Sequence, residues 1–513
     1  MASPARLLLS VDGLSFSFYN SDHKALDRIR LEIGAGQFVA ITGPSGCGKS
    51  TLAMAIGGYI PHVIEGRLEG RVEIGGRQTD ATGLAELSTL VGIVQQDPES
   101  QLCTLNVDDE VAFGPENLAL PADEVRARVE RSLALVNASH LQGRDIYELS
   151  GGEKQRVAIA SILAMQPRVL ILDEPTSNLD PTATAEVLSA IARMRLETGL
   201  TIIVIEHKLD RVIPLADRLL IMDRGRIVMD GQPGEVLRQY REQIKSLGVR
   251  LPMEPGAEWR CARDAQTSTA SAASNVNVDG LRFAYEGREV LHGVSFRAHG
   301  GEIVGIIGPN GSGKTTFLSH LLGICRPEHG SVTICGNDTK TSRVSKLARF
   351  AGYVFQNPNH QIFERTVRNE AGFACGNFGI GPAVRDRLVL NELQRFGLDG
   401  YADRHPLGLS FGEKRRLNIC SVLPHQPQVL LLDEPFVGQD FFNVETMMGE
   451  LQALKKEGKT ILMVSHDIDM VYRHCDRVVL FHDGQIAVDD EPMAAREKIA
   501  ALGMNEYLPG GCP

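Results

Sequence analysis

No apolar run in this 513-residue chain approaches the ~18–20 residues that a bilayer span requires. The longest candidates, such as residues 169–172 and 201–205, have the length of buried strands. The opening MASPARLLLSVDG is too short in apolar residues for a signal peptide, so the chain is expected to be made and kept in the cytoplasm. Paired cysteines are missing as well. The nine cysteines, at 47, 103, 261, 325, 335, 375, 420, 475 and 512, include no CxxC and no metal-ligand spacing, which fits reduced and mostly structural thiols. Positive charge is not in excess either: the formal net charge of −11 argues against bulk nucleic-acid binding, which leaves a basic footprint. What remains is ordinary for a soluble globular protein, 43% hydrophobic and 23% charged. The length suits two domains of somewhat over ~200 residues each.

What is there is a repeat. GPSGCGKST (residues 43–51), VQQDPESQ (94–101), LSGGEKQR (149–156), VLILDEPTSNLD (169–180) and IVIEH (203–207) occur in that order. GPNGSGKTT (308–316), VFQNPNHQ (354–361), LSFGEKRR (409–416), VLLLDEPFVGQD (429–440) and LMVSH (462–466) follow, each about 260 residues after its counterpart. A nearly constant offset over five motifs means a duplicated domain. We expect one domain over 1–245, a flexible linker over 246–274 with ARDAQTSTASAAS as its clearest part, and a second domain over 275–508. Each half opens with strand-like alternation (residues 7–18 and 276–285), then reaches a short apolar strand (37–41 and 302–307) that runs into a glycine loop. The later runs of Val, Ile and Leu read as strands buried on both faces of a mainly parallel α/β sheet. Polar, helix-rich stretches near 108–140 and 367–396 read as an inserted helical subdomain.

Both glycine loops fit GxxxxGK[ST] after a strand. Such a loop curls so that successive N–H groups face phosphates, and the following helix N-terminus favours the anion. The first is Gly43, Pro44, Ser45, Gly46, Cys47, Gly48, Lys49, Ser50 and Thr51, and the second is Gly308, Pro309, Asn310, Gly311, Ser312, Gly313, Lys314, Thr315 and Thr316. Lys49 and Lys314 are suited to neutralise β- and γ-phosphates, and the Ser50 and Thr315 hydroxyls to bind Mg²⁺. Alkylation of Cys47, inside the first loop, is expected to block the nucleotide. The strands ending in Asp173-Glu174 and Asp433-Glu434 supply the acidic partners: the aspartate for Mg²⁺, the glutamate to polarise the attacking water. Taken alone, an Asp-Glu pair is more often a solvated strand end, and LSGGE more often an ordinary capped helix. Their recurrence behind phosphate loops reverses both readings.

With LSGGE about twenty residues ahead of DEP in a phosphate-loop domain, the chain resembles the ATP-binding-cassette (ABC) ATPases over nearly its whole length. The resemblance implies two ABC domains in tandem. Each would have a RecA-like, mainly parallel core, an antiparallel β subdomain and the inserted helices. It implies that Ser150, Gly151, Gly152, Ser410 and Gly412 contact the γ-phosphate held by the opposite domain, so that each ATP is sandwiched. Gln96 and Gln356 resemble the glutamine that joins Mg²⁺ and the attacking water to the helical subdomain. His207 and His466 resemble the switch histidine on the γ-phosphate. Phe18 and Tyr285 stand where the family stacks an aromatic on adenine.

VQQDPESQLCTLNVDDEVAFGPENL (residues 94–118) and GGYIPHVIEG (57–66) resemble, more narrowly, the tandem ATPases of energy-coupling-factor (ECF) importers of vitamins and transition-metal ions. The second half keeps NPNHQIFERTV and continues more loosely with RNEAGFACGN. That resemblance implies an integral membrane T-type subunit docked beside residues 97–101 and 357–361, and a small substrate-binding membrane subunit. It also implies a place on the cytoplasmic face of a bacterial or archaeal membrane, and no nucleic-acid partner. A ribosome-acting twin ATPase would carry a long charged linker or an iron–sulfur module. A tandem sugar-importer ATPase tends to have a degraded second phosphate loop, whereas GPNGSGKTT is intact. One departure stands out: Phe411 occupies the place of Gly151, so two unequal sites are expected.

Overall fold

The computed structural model describes residues 7–19, 23–177, 179–252 and 274–510. Most of the expected linker, residues 253–273, lies outside them. The chain divides into two units, Met1–Pro255 with Asp440–Phe442, and Gly256–Gln439 with Asn443–Pro513. In the first, Val249 is buried in the core, and Leu247 and Leu251 pack against it.

Among the described residues of the first unit, one sheet has six strands. From edge to edge it runs Arg226–Gly231, Arg218–Asp223, Phe38–Thr42, Thr201–Ile205, Val169–Asp173 and Val91–Val94. All neighbours are parallel except the Arg218–Asp223 and Arg226–Gly231 hairpin. The second unit repeats the order with Gln485–Asp490, Arg477–His482, Glu302–Ile307, Thr460–Val464, Val429–Asp433 and Ala351–Val354. A strand's side chains alternate between faces, so continuous apolar runs feed two cores at once. Ala40, Leu170, Leu172, Ile202 and Val204 enter the core under the helical subdomain. Their neighbours Val39, Ile41, Val169, Ile171 and Ile203 enter the core shared with the antiparallel sheet. The second unit divides in the same way: Leu430, Leu432, Ile461 and Met463 face one core, Val429, Leu431, Leu462 and Val464 the other.

Each unit also has a four-stranded antiparallel sheet, built on Leu7–Phe18 and Ser274–Tyr285 respectively. The inserted helices are Val107–Asn117 and Ala122–Leu135 in the first unit, and Val367–Asn377 and Pro382–Arg395 in the second. The first helix of each pair starts on an N-cap side chain: Asn106 accepts from Asp109 N–H, and Thr366 from Asn369 N–H. With the parallel strands all running the same way, their C-terminal ends bring Asp173, Glu174 and His207, or Asp433, Glu434 and His466, to one edge beside the glycine loop.

Candidate active site

The glycine loops follow Phe38–Thr42 and Glu302–Ile307 and lead into the helices Lys49–Ile56 and Lys314–Leu321. Gly43 and Gly308 are forced by close packing. A Cβ on Gly43 would lie 2.1 Å from the Met222 carbonyl oxygen, and one on Gly308 would lie 2.1 Å from that of Phe481. Lys49 Nζ donates to the Gly43 and Pro44 carbonyls at 2.9 Å each, and Lys314 Nζ to those of Gly308 and Pro309 at 2.8 and 2.6 Å. Both ammonium groups are therefore buried against the loop that carries them. Ser45 and Gly46 lie exposed at the loop tip, and Ser50 and Thr51 open the helix. Cys47 is buried, with Sγ 3.9 Å from Lys49 Nζ, and burial raises its thiol. The alkylation expected from its position thus meets an enclosed, protonated sulfur.

The strand ends bring the acids to the loops. Ser50 hydrogen-bonds the Asp173 carboxylate, and Thr315 Oγ1 donates to Asp433 Oδ2 at 3.1 Å. Burial pushes Asp173 up to about 6, with the Ser50 bond opposing and the Glu174 charge reinforcing the rise. Asp433 is also raised, by burial and then by Glu434. Asp173 Oδ1 is buried without a hydrogen-bond partner among the described residues. A carboxylate oxygen without a partner next to a hydroxyl is the hard-oxygen donor set that suits Mg²⁺.

Glu174 and Glu434 stand one residue beyond their strands with φ of 49° and 48°, a left-handed conformation uncommon outside glycine. The adjacent strand holds them there: the Glu174 N–H donates to the Ile205 carbonyl at 2.9 Å, and the Glu434 N–H to that of Val464 at 3.0 Å. His207 Nε2 lies 3.1 Å from Glu174 Oε1, and Gln96 Nε2 donates to Glu174 Oε2 at 2.9 Å. In the second unit His466 Nε2 lies 3.2 Å from Glu434 Oε1, and the His466 N–H donates to Oε2 at 3.1 Å. Burial raises Glu174, yet the His207 bond, the His207 charge and Lys49 more than offset it and leave the carboxyl below its usual value. A cavity of about 840 Å³ in the second unit gathers Tyr285, Lys314, Thr315, Gln356, Asp433, Glu434 and His466.

Ser150 and Ser410 start the helices Gly151–Ala164 and Phe411–Ser421 with full capping boxes: each hydroxyl accepts from the backbone of Glu153 or Glu413, whose carboxylate returns to the serine N–H. Gly152 is sterically required, since a Cβ would lie 2.6 Å from Ala183 Cβ, whereas at Gly412 the nearest atom, 2.9 Å away, is Oε1 at the end of the movable Gln439 side chain. Gly151 is not, because the nearest atom to an added Cβ is 3.7 Å away. That room explains how Phe411 fits, half-exposed, with the Arg415 guanidinium 5.5 Å from its ring centroid. Phe18 and Tyr285 are also half-exposed, at the ends of their strands and edge-on to Phe16 and Phe283.

Three contributors escaped the sequence reading. Tyr353 donates its hydroxyl to Asp433 Oδ2 at 3.0 Å. Arg415, 1% exposed, donates to the Phe355 carbonyl at 2.7 Å and to the Gln356 carbonyl, fixing the glutamine loop from below. Thr176 Oγ1 donates to the buried Glu206 Oε2 at 3.1 Å. The second glutamine of each loop turns back on it: Gln101 Oε1 accepts from Gln95 N–H at 3.0 Å, and Gln361 Oε1 from Phe355 N–H at 3.3 Å.

Comparison with known proteins fits this geometry. The ABC transporter family profile matches residues 26–177 and 291–437. The chain belongs to the ABC transporter family. An ABC transporter ATP-binding protein of Methanosarcina mazei is 36% identical over 98% of this chain and 92% of its own. A Bacillus subtilis protein whose name assigns it to HMP/thiamine import as an ATP-binding protein is 35% identical over 94% of this chain and 92% of its own. Among solved structures, cbiO1 of Clostridium perfringens, described as part of the ABC transporter complex cbiONQ, is 37% identical over 48% of this chain and 96% of its own, with a TM-score of 0.42. As a member with two ABC domains, the chain binds and hydrolyses ATP. No helix among the described residues is long and apolar enough to cross a membrane.

Proposed function

We propose that this chain is the tandem ATPase subunit of an ECF-type importer, energising uptake of a vitamin or a transition-metal ion through an integral T-type subunit and a small substrate-binding membrane subunit. It would sit peripherally on the cytoplasmic face of a bacterial or archaeal membrane. The observation that carries the reading is the glutamine loop. Residues 94–118 have the ECF-like pattern, and within them Gln96 hydrogen-bonds Glu174 at 2.9 Å while Glu99 pairs with Lys154 of the signature helix. A docked membrane helix at residues 97–101 would thus share one loop with the hydrolytic centre. The thiamine-import name of one relative agrees with this cargo class.

In each half the same division of labour is proposed. Backbone N–H groups of 43–51 and 308–316 with Lys49 and Lys314 bind the phosphates. Ser50, Gln96 and Asp173, or Thr315, Gln356 and Asp433, hold Mg²⁺, which when bound neutralises charge on the β- and γ-phosphates. Glu174 and Glu434 accept a proton from the attacking water, oriented by His207 and His466. Ser150, Gly151, Gly152, Ser410 and Gly412 bind the γ-phosphate, and Phe18 and Tyr285 stack on adenine. The two domains are taken as 1–245 and 275–508, joined by 246–274.

Two experiments test this. Glu174→Gln with Glu434→Gln is expected to lower ATP turnover at least ~10²-fold, the usual range for a lost general base, while ATP binding persists. A double variant retaining more than about a tenth of the turnover would overturn the base assignment. For the partner, we expect the chain to copurify with a small integral membrane protein, and Glu99→Lys to release it without loss of nucleotide binding. Copurification with ribosomes, or unchanged membrane association of Glu99→Lys, would sink the importer reading.

A further inference from the structure

The residue just before each histidine differs between the halves. Glu206 precedes His207, and Ser465 precedes His466. The second residue after each glutamate differs with it: Thr176 in the first half, Phe436 in the second. These two positions meet. Thr176 and Glu206 are both 3% exposed, and the threonine hydroxyl donates to Glu206 Oε2 at 3.1 Å. The bond joins the turn behind Glu174 to the turn that carries His207. The Phe436 side chain has no hydroxyl to offer, and Ser465 Oγ serves its own turn by accepting from Asp467 N–H at 3.1 Å. The second half makes its connection differently, through the His466 N–H to Glu434 Oε2.

We propose that Glu206 is a positioning residue of the first hydrolytic site: through Thr176 it fixes the separation and orientation of Glu174 and His207, a task that backbone geometry performs in the second half. The inference rests on the roles proposed for Glu174 and His207. A buried carboxyl is costly to retain without a partner, so its exchange for serine together with loss of the threonine marks a pair that works as a unit. Glu206 faces Glu174 from the neighbouring strand end, and His207, Lys208 and Arg211 from its own turn and the helix after it. Burial first, and then the Glu174 charge, push its carboxyl up to about 7. Its proton is therefore held below neutrality and lost above it. Loss of that proton places a second negative charge beside Glu174.

The test uses the full chain with the second site silenced by Glu434→Gln. In that background Glu206→Ala and Thr176→Val are each expected to lower ATP turnover roughly tenfold, the scale of one untied buried hydrogen bond, and together to do no more than either alone. Glu206→Gln keeps an acceptor for the Thr176 hydroxyl and is expected to retain turnover within about threefold of the parent. It should also lose any step in the pH–rate profile near 7, which a purely packing role would not move. ATP binding measured alongside separates an untied site from a misfolded one. Strictly additive effects of Glu206→Ala and Thr176→Val, or a Gln variant as poor as Ala, would overturn the inference and leave the proposed function standing. If Glu174→Gln in the same background still turns over ATP, both fall.

Discussion

In the first half the Glu174 carboxylate meets two side chains, Gln96 on one oxygen and His207 on the other. In the second half His466 reaches both Glu434 oxygens, Oε1 through its ring and Oε2 through its backbone N–H. Around this difference the frames coincide: the same strand order, the same left-handed glutamate, the same capping boxes. The comparison separates two kinds of constraint. Positions where an added Cβ would strike backbone or a short, fixed side chain, such as Gly43, Gly152 and Gly308, are unchanged. Positions with room, such as Gly151, have drifted as far as phenylalanine. Steric closure holds the scaffold, while the hydrogen bonds of the site have been redistributed.

The largest effect expected from that redistribution concerns the buried arginines of the signature helices. Arg415 supports two loop carbonyls from a position 1% exposed, and burial lowers it to about 10. The first half has Gln155 at the matching position, and the buried Arg156 beside it pairs with Glu186, which is half-exposed. Arg415→Ala is expected to cost about 3 kcal/mol of second-half stability, and Arg156→Ala about 1, because the former removes a buried donor that ties two loop carbonyls and the latter a bond to a half-exposed carboxylate. Urea unfolding of the full chain would show it, and equal losses would erase this part of the contrast.

Next in size, Glu174→Gln and Glu434→Gln made singly are expected to leave ATPase activities that differ several-fold in the assembled transporter, since the two carboxylates are held by different partners. Indistinguishable rates would mean that neither the wiring nor Phe411 matters to turnover.

The smallest effect concerns Tyr353, whose counterpart in the first half is Ile93. The Tyr353 hydroxyl bond lowers the Asp433 carboxyl against a rise caused mainly by burial. Tyr353→Phe should raise it further, so that more of Asp433 is protonated in mild acid. In a Glu174→Gln background the Mg²⁺ concentration for half-maximal activity should rise about two- to fivefold at the acid end of the activity profile, the scale of one hydrogen bond. The rise should shrink as the pH is raised and the carboxylate ionises in both proteins. A shift as large at the alkaline end of the profile as at the acid end would refute the titration argument.

Much of this was legible in the sequence because it is local. Apolar runs of five residues bounded by polar ones are too short for a buried helix and read as buried strands, and the glycine loops have a fixed spacing. The one-residue offset at the strand expected over 37–41 has a local cause: Gln37 is spent on the preceding turn, its Oε1 accepting from Gly34 N–H at 3.0 Å. The Thr176–Glu206, Tyr353–Asp433 and Arg415–Phe355 contacts were not legible, being 30, 80 and 60 residues apart in sequence and adjacent only once the parallel strands are ordered. Setting the halves against each other would have pointed to the first, since Thr176 and Glu206 are replaced together.

Glu174 and Glu434 occupy a backbone conformation that glycine or asparagine would adopt at less cost. Their neighbours impose it through the Ile205 and Val464 carbonyls. Selection for stability alone would therefore drive both positions away from glutamate, so retention in two halves that have otherwise diverged marks a standing opposition between durability and turnover. For anyone seeking a hardier variant of this chain, these are two positions where robustness gained would mean activity forfeited.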